Sequence, residues 1–147
     1  MEIHFDIADH FLQPAISIQA QAENTQLLQL AKTIDRVVNK DVLTGTNGNK
    51  NTIIALYQVI RFYTENKNVV CETTNGTYRI RKRIYQLREQ LSQQDFIAIS
   101  SSEIVRIAVI ETFSLSARGE FIVQLTNGEQ AYASRRYIKQ IKEALLS

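Results

Sequence analysis

The chain has 147 residues, 44% of them hydrophobic, a net charge of +2 and a single cysteine, Cys71. This length suits one domain of ordinary size, with or without a small N-terminal extension, and the hydrophobic share suffices for a real core. One cysteine excludes an internal disulfide and a thiolate metal cluster, and no apolar run approaches the ~18 residues of a membrane span. The acid-bearing start MEIHFDIADHF is unlike a signal peptide, so a cytoplasmic protein is expected.

Residues 1–44 read as an N-terminal strand-strand-helix extension. The strands are expected near EIHFDI (2–7) and AISIQAQA (15–22), and the helix in ENTQLLQLAKTIDRVVNK (23–40). Leu27, Leu28, Leu30, Ala31, Ile34, Val37 and Val38 follow the 3.6-residue spacing of one helix face, which something must cover. The Gly- and Asn-rich DVLTGTNGNKN (41–51) is expected to be a linker.

The remainder, 45–147, reads as mainly β, giving an α+β protein overall. Strands are expected over 52–65, 68–74, 77–81, 96–100, 103–116 and 120–126. Asn75-Gly76 and Asn127-Gly128 are strong hairpin signals, and Arg118-Gly119 is a weaker third turn. RKRIYQLREQL (81–91) and RRYIKQIKEAL (135–145) align without a gap, pairing Arg81 with Arg135, Lys82 with Arg136, Leu87 with Ile141 and Leu91 with Leu145. The simplest explanation is one local solution used twice: a hairpin strand running into an amphipathic helix that docks on a sheet.

Charge is distributed unevenly. Residues 1–40 sum to −2 and the rest to +4, and YRIRKRIYQLR (78–88) carries five bases and no acid. Arg135 and Arg136 stand where a helix begins, against its positive end, which costs roughly 0.3–1 kcal/mol per cation unless an anion compensates.

Catalytic patterns are missing. No paired acid set, Ser-His-Asp arrangement or phosphate-cradling glycine loop is present, and the β-rich region has no histidine, so no enzyme, cofactor or small-molecule substrate is expected. His4 and His10 lie near Asp6 and Asp9, but surface histidines beside acids are common and no metal site is assigned. Cys71 follows Val69 and Val70 and is expected to be a small buried strand residue.

The grouped cations suit nucleic acid: arginine forks can bridge phosphates or bond guanine O6 and N7, and lysine releases counterions. Charge alone does not separate this from a solvated face, or from an interaction module docking an acidic protein or a membrane surface. Few aromatics lie near the basic loops, which disfavours single-stranded RNA.

YRIRKRIYQLREQL, FIAISSSEIVRIAVIETF and NGEQAYASRRYIKQIKEAL, in that order, closely resemble the LytTR DNA-binding domain of bacterial transcription regulators over about residues 50–146. The resemblance implies small antiparallel sheets, three in number, whose loops rather than a recognition helix enter successive major grooves of double-stranded DNA. It places contacts at Asn66, Lys67 and Asn68, at Ser100, Ser101 and Ser102, and at the last helix start, with Arg136 as principal base reader and Arg135 as phosphate clamp. Arg81, Lys82 and Lys139 complete the expected DNA-binding set. Ala98 stands where the family usually has arginine, Ser101 where it has arginine, lysine or asparagine, and Arg106 where it usually has asparagine. Each lost phosphate contact removes about one counterion's worth of salt dependence.

Most such domains follow a receiver domain of about 120 residues, which the first 40 residues cannot supply. The layout resembles stand-alone LytTR regulators, some of which are restrained by a small membrane protein, and this implies control by protein contact. The first helix is expected to pair two copies into a homodimer on repeated half-sites.

Overall fold

The computed structural model describes residues 6–10, 15–39 and 42–146. Helix α1 (Thr25–Asn39) starts where Asn24 caps it, the Leu27 N–H donating to the Asn24 Oδ1 at 2.9 Å. The chain then forms β1 (Val42–Asn47) and β2 (Lys50–Ala55), a 3-10 turn at Leu56–Gln58, and β3 (Val59–Glu65), β4 (Asn68–Thr73) and β5 (Gly76–Ile80). Helix α2 (Ile84–Gln90) leads into β6 (Phe96–Ser100) and β7 (Glu103–Arg106). A second 3-10 turn, Ile107–Val109, precedes β8 (Ile110–Leu115), β9 (Phe121–Leu125) and β10 (Gln130–Ala133), and a third, Arg135–Tyr137, opens helix α3 (Ile138–Leu146).

The strands build a seven-stranded antiparallel sheet in the order β2-β1-β5-β4-β3-β7-β6 and a three-stranded sheet in the order β10-β9-β8. The Asn-Gly and Arg-Gly turns lie where expected, with Gly119 at φ 80° and Gly128 at φ 87°. Mainly β architecture with short helices is therefore the observed class.

Four expectations change. The segment 41–51 is not a linker: β1 and β2 pair over six residues each, from Val42↔Ala55 to Asn47↔Lys50, around Gly48 at φ 60°. This hairpin joins the main sheet through the single pair Thr46↔Arg79, which merges into one sheet what the resemblance implied as separate small ones. The long strands expected over 52–65 and 103–116 are each broken by a 3-10 turn, and the second break carries the chain from one sheet to the other. Residues 15–22 form no strand, because a strand needs a ladder partner and none of the described strands pairs with them; Ile16 and Ile18 are exposed. The other strand expected near the N-terminus falls largely outside the described residues, as does His4.

Two cores lie on opposite faces of the large sheet. Phe62, Cys71, Ile80, Phe96, Ala98 and Ile104 pack beneath α2 through Ile84, Leu87 and Leu91. Ile60, Ile97, Ile99 and Val105 pack on the other face against Val123, Leu125 and Ala131 of the small sheet and Ile141 of α3. Strand β6 is thus buried on both faces, and the echoed segments 81–91 and 135–145 dock on opposite sides of the same sheet. Cys71 is fully buried, and burial first, with the Glu72 charge, pushes its thiol up to about 12, so it is an inert packing residue. Among the described residues no helix is long and apolar enough to cross a membrane, and no group of acids, histidines and cysteine is placed to hold a metal.

Gly45 of β1 is fixed by contact rather than by φ. A Cβ there would lie 2.6 Å from the Ile54 Cδ1 and 2.7 Å from the Tyr78 Cβ. Gly45→Ala is expected to destabilise the protein by about 1–3 kcal/mol, measured as a lower urea midpoint at unchanged slope.

Candidate nucleic-acid interface

Antiparallel registers bring a row of turns to one end of the large sheet. Asn66-Lys67 joins β3 to β4, Ser101-Ser102 joins β6 to β7, and β5 exits there into Arg81, since Val69↔Ile80 are partners. Two backbone hydrogen bonds lock neighbours in the row: the Thr64 N–H donates to the Ser102 carbonyl at 3.0 Å, and the Ser134 N–H donates to the Ile99 carbonyl at 2.9 Å. The second bond sets Arg135 and Arg136 beside the serine turn.

Of the expected DNA-binding residues, Lys67, Asn68, Arg81, Lys82 and the three serines lie on or next to this row, Arg135 and Arg136 are set beside it, and Lys139 follows on α3. Lys67, Arg81, Lys82, Ser101, Ser102, Arg135, Arg136 and Lys139 are exposed, and Asn68 and Ser100 are half-buried. Lys82 Nζ donates to the Gln90 Oε1 of α2. Ser100 Oγ accepts from the Ser102 N–H at 3.2 Å and lies 3.3 Å from the Ser102 Oγ, so two of the three serine hydroxyls brace the turn and Ser101 projects freely. Arg135 and Arg136 occupy a 3-10 turn ahead of α3 rather than its first helical turn.

Asn66 and Lys67 both adopt positive φ, 49° and 67°. A two-residue hairpin of this kind favours Asn-Gly, and the glycine position here holds a lysine, a strain found mostly where a side chain is needed. Asn68 Nδ2 donates to the Asn66 carbonyl at 3.3 Å and steadies the turn.

The charges that support the row were not legible in the sequence. Arg61 on β3 donates through Nε to Glu72 Oε2 at 2.6 Å, through one terminal nitrogen to Glu103 Oε1 at 3.0 Å, and through the other to Glu129 Oε2 at 2.7 Å. Its guanidinium also lies 5.0 Å from the Tyr63 ring centroid. Burial alone would lower the Arg61 pKa, but the hydrogen bond and charge of Glu72, with those of Glu103, hold it above its ordinary value. Asn127 Nδ2 donates to Glu72 Oε1 at 3.2 Å, so the β9–β10 turn is tied to the large sheet twice. Among the described residues these are the ion pairs, and none reaches Lys67, Arg81, Arg135 or Arg136.

Two departures from the family pattern have structural roles. Arg106 Nε donates to the Val59 carbonyl at 2.5 Å, at the bulge where the β3–β4 register shifts, and burial lowers its pKa. It is a backbone brace at the far end of β7, and Ala98 is a core residue. Tyr137, one residue after Arg136, packs against both cores and lies beneath Arg88 of α2, 5.5 Å from ring centroid to guanidinium carbon. It anchors the arginine turn to α2 and α3 together.

The described arrangement is an exposed line of unpaired cations, hydroxyls and amides, suited to an extended anion with hydrogen-bonding edges. A family model for the LytTR DNA-binding domain matches residues 49–146. An uncharacterized HTH-type transcriptional regulator of Staphylococcus aureus strain NCTC 8325 is 33% identical over 145 residues, spanning 99% of this chain and 98% of that one. Another from strain MSSA476 is 35% identical over 130 residues, 88% of each chain. Among solved structures, the LytTR DNA-binding domain of a Bacillus cereus protein described as a methyl-accepting/DNA response regulator superposes with a TM-score of 0.68 at 19% identity, covering 73% of this chain and 98% of that one.

Two outcomes follow from this geometry. Lys67→Gly relieves the left-handed strain and should raise unfolding stability by about 1 kcal/mol, read from urea denaturation. Burial first, opposed by Arg61, raises the Glu103 carboxyl above its ordinary 4.5. The folded state then binds that proton more tightly than the unfolded chain, so the contribution is complete below the ordinary value and lost as pH rises through the folded one. Glu103→Gln should therefore show a stability deficit that shrinks as pH rises above the ordinary carboxylate value, measured by denaturation at stepped pH.

Proposed function

The chain belongs to the LytTR DNA-binding domain family and is a DNA-binding transcription regulator, and we propose that it reads a specific duplex sequence by setting its row of turns across successive major grooves. The observation that carries this reading is the pair of backbone bonds, Thr64 to Ser102 and Ser134 to Ile99, which hold three candidate contact segments side by side. Arg136 takes the base-reading role and Arg135 the phosphate role. Ser101, with Ser100 and Ser102 behind it, offers a hydroxyl to a base edge or phosphate. Lys67, Asn68, Arg81, Lys82 and Lys139 hold the backbone.

Dimensions support the reading. Adjacent strands lie about 4.8 Å apart, so the row from β1 to β6 is on the order of 24 Å long, with Arg135 and Arg136 beyond it. This approaches the ~34 Å of one DNA turn. The relatives' names place them in the helix-turn-helix type, whereas here five strands separate α2 from α3, which favours reading by turns.

For residues 1–44 the proposal is dimerisation. None of the described side chains of α1 is fully buried, and Leu28 is 47% exposed. Packing that face on a second copy in the bacterial cytoplasm places two reading rows on repeated half-sites.

Selection of bound sequences from random duplex DNA tests the class, and enrichment of a short repeated motif is expected. On that motif Arg136→Ala should cost about 1–3 kcal/mol and relax base preference, while Lys139→Ala weakens all sequences alike. Equal losses on cognate and scrambled duplex for both variants would remove the assignment of Arg136.

A further inference from the structure

Beside the base-reading turns the structure holds a concave site that the reading above does not use as a unit. A groove of about 630 Å³ runs between the β1–β2 hairpin and the exit of β5, and Thr46, Asn49 and Asn51 form one wall. Lys67, Arg79, Arg81, Lys82 and Arg83 supply five cations to the lining, which contains no carboxylate. Among the described residues no ion pair neutralises any of the five. Arg79 and Arg81 stand two residues apart across the buried Ile80, so both project away from the core.

Resting on the DNA-binding reading, we propose that this groove grips the sugar–phosphate backbone of duplex DNA outside the base-reading turns, with Arg79 and Arg83 as phosphate ligands and the β1–β2 hairpin as its outer wall. Charge selects the ligand: five uncompensated cations in one concave surface repel one another and call for a polyanion with regularly spaced charges. The wall is polar, its amides and hydroxyl suiting phosphate and sugar oxygens, and an apolar ligand has little to bury there. Space favours a backbone over a small anion, since the groove is open and the hairpin tip is uncrowded, with nothing within 4 Å of a Cβ built on Gly48.

Placement makes the contact geometrically available. From β3, which carries the Lys67 turn, to β1 is three strand spacings, about 14 Å. Lys67 and Asn68 line the groove as well as their own turn, so a DNA backbone that follows the row of turns runs on into the groove toward the β1–β2 hairpin. The hairpin holds this position through Thr46, whose backbone pairs with Arg79 and whose hydroxyl donates to the Arg79 carbonyl at 3.4 Å.

The test is the full chain carrying Arg79→Gln and Arg83→Gln together, titrated against its selected duplex and a scrambled duplex over a range of KCl concentrations, with hydroxyl-radical footprinting. Both side chains are exposed and outside any described ion pair, so thermal unfolding should match the unsubstituted protein. Expected are a loss of about tenfold on both duplexes, a salt slope shallower by about 0.9 for each contact removed, and unchanged base preference. Protection should disappear at sugars on one flank only, and Arg79→Lys with Arg83→Lys should restore the slope. An unchanged slope and footprint, or a loss confined to the selected sequence, would overturn the proposal. Failure of the unsubstituted protein to retard any duplex would overturn the DNA reading and this one with it, whereas a binding protein with an indifferent double variant overturns the groove alone.

Discussion

One guanidinium holds the two sheets in register. Arg61 projects from the middle of β3 and meets Glu72 of the adjacent strand β4, Glu103 of β7 on its other side, and Glu129 from the turn of the small sheet. A planar fork presents donors on three separate nitrogens in fixed directions and so reaches three carboxylates on different elements, whereas an ammonium would have to gather all three about one atom. Glu72 and Glu103 are largely shielded, and leaving one such carboxylate without its cation costs on the order of 3–5 kcal/mol. Glu129 is 49% exposed, so its pair adds little stability. Its part is geometric: it fixes the β9–β10 turn, and with it the strand that delivers Arg135 and Arg136.

That clamp also partitions the charge. Glu72, Glu103 and Glu129 are all turned toward Arg61, and among the described residues no ion pair engages the cations of the row. A modest net charge of +2 therefore coexists with a strongly basic edge. Lys67 in a left-handed turn, at φ 67°, and the adjacent exposed arginines Arg135 and Arg136 are unfavourable features of the free protein.

Strand β6 is the second constraint. Its Phe96 and Ala98 face the α2 core while Ile97 and Ile99 face the α3 core, so every residue from 96 to 99 is a packing residue. The alanine at 98, where the family usually carries arginine, serves here as part of the α2 core. Tyr137 spans the two cores at the point where Arg136 leaves them, so the arginine turn is mounted on packed side chains from both faces of the sheet.

The sequence by itself determined the local features. Asn-Gly and Arg-Gly pairs marked three hairpins because positive φ is a property of one or two residues, and the 3.6-residue spacing marked the helices for the same reason. The paired motifs at 81–91 and 135–145, and the clustering of their cations, were equally visible. Tertiary structure decided what depends on distant partners. The β1–β2 hairpin turns on Asn47-Gly48, the same local signal inside a stretch that otherwise reads as a linker, and only its attachment to β5 through Thr46↔Arg79 depends on a distant partner. The runs through Leu56–Gln58 and Ile107–Val109 carry no glycine or proline to announce their breaks. The convergence of Arg61 with acids 11, 42 and 68 residues away exists only once strand register and sheet packing are set. Local backbone preference is written in short words of sequence, whereas charge compensation and the groove beside it are properties of which strands become neighbours.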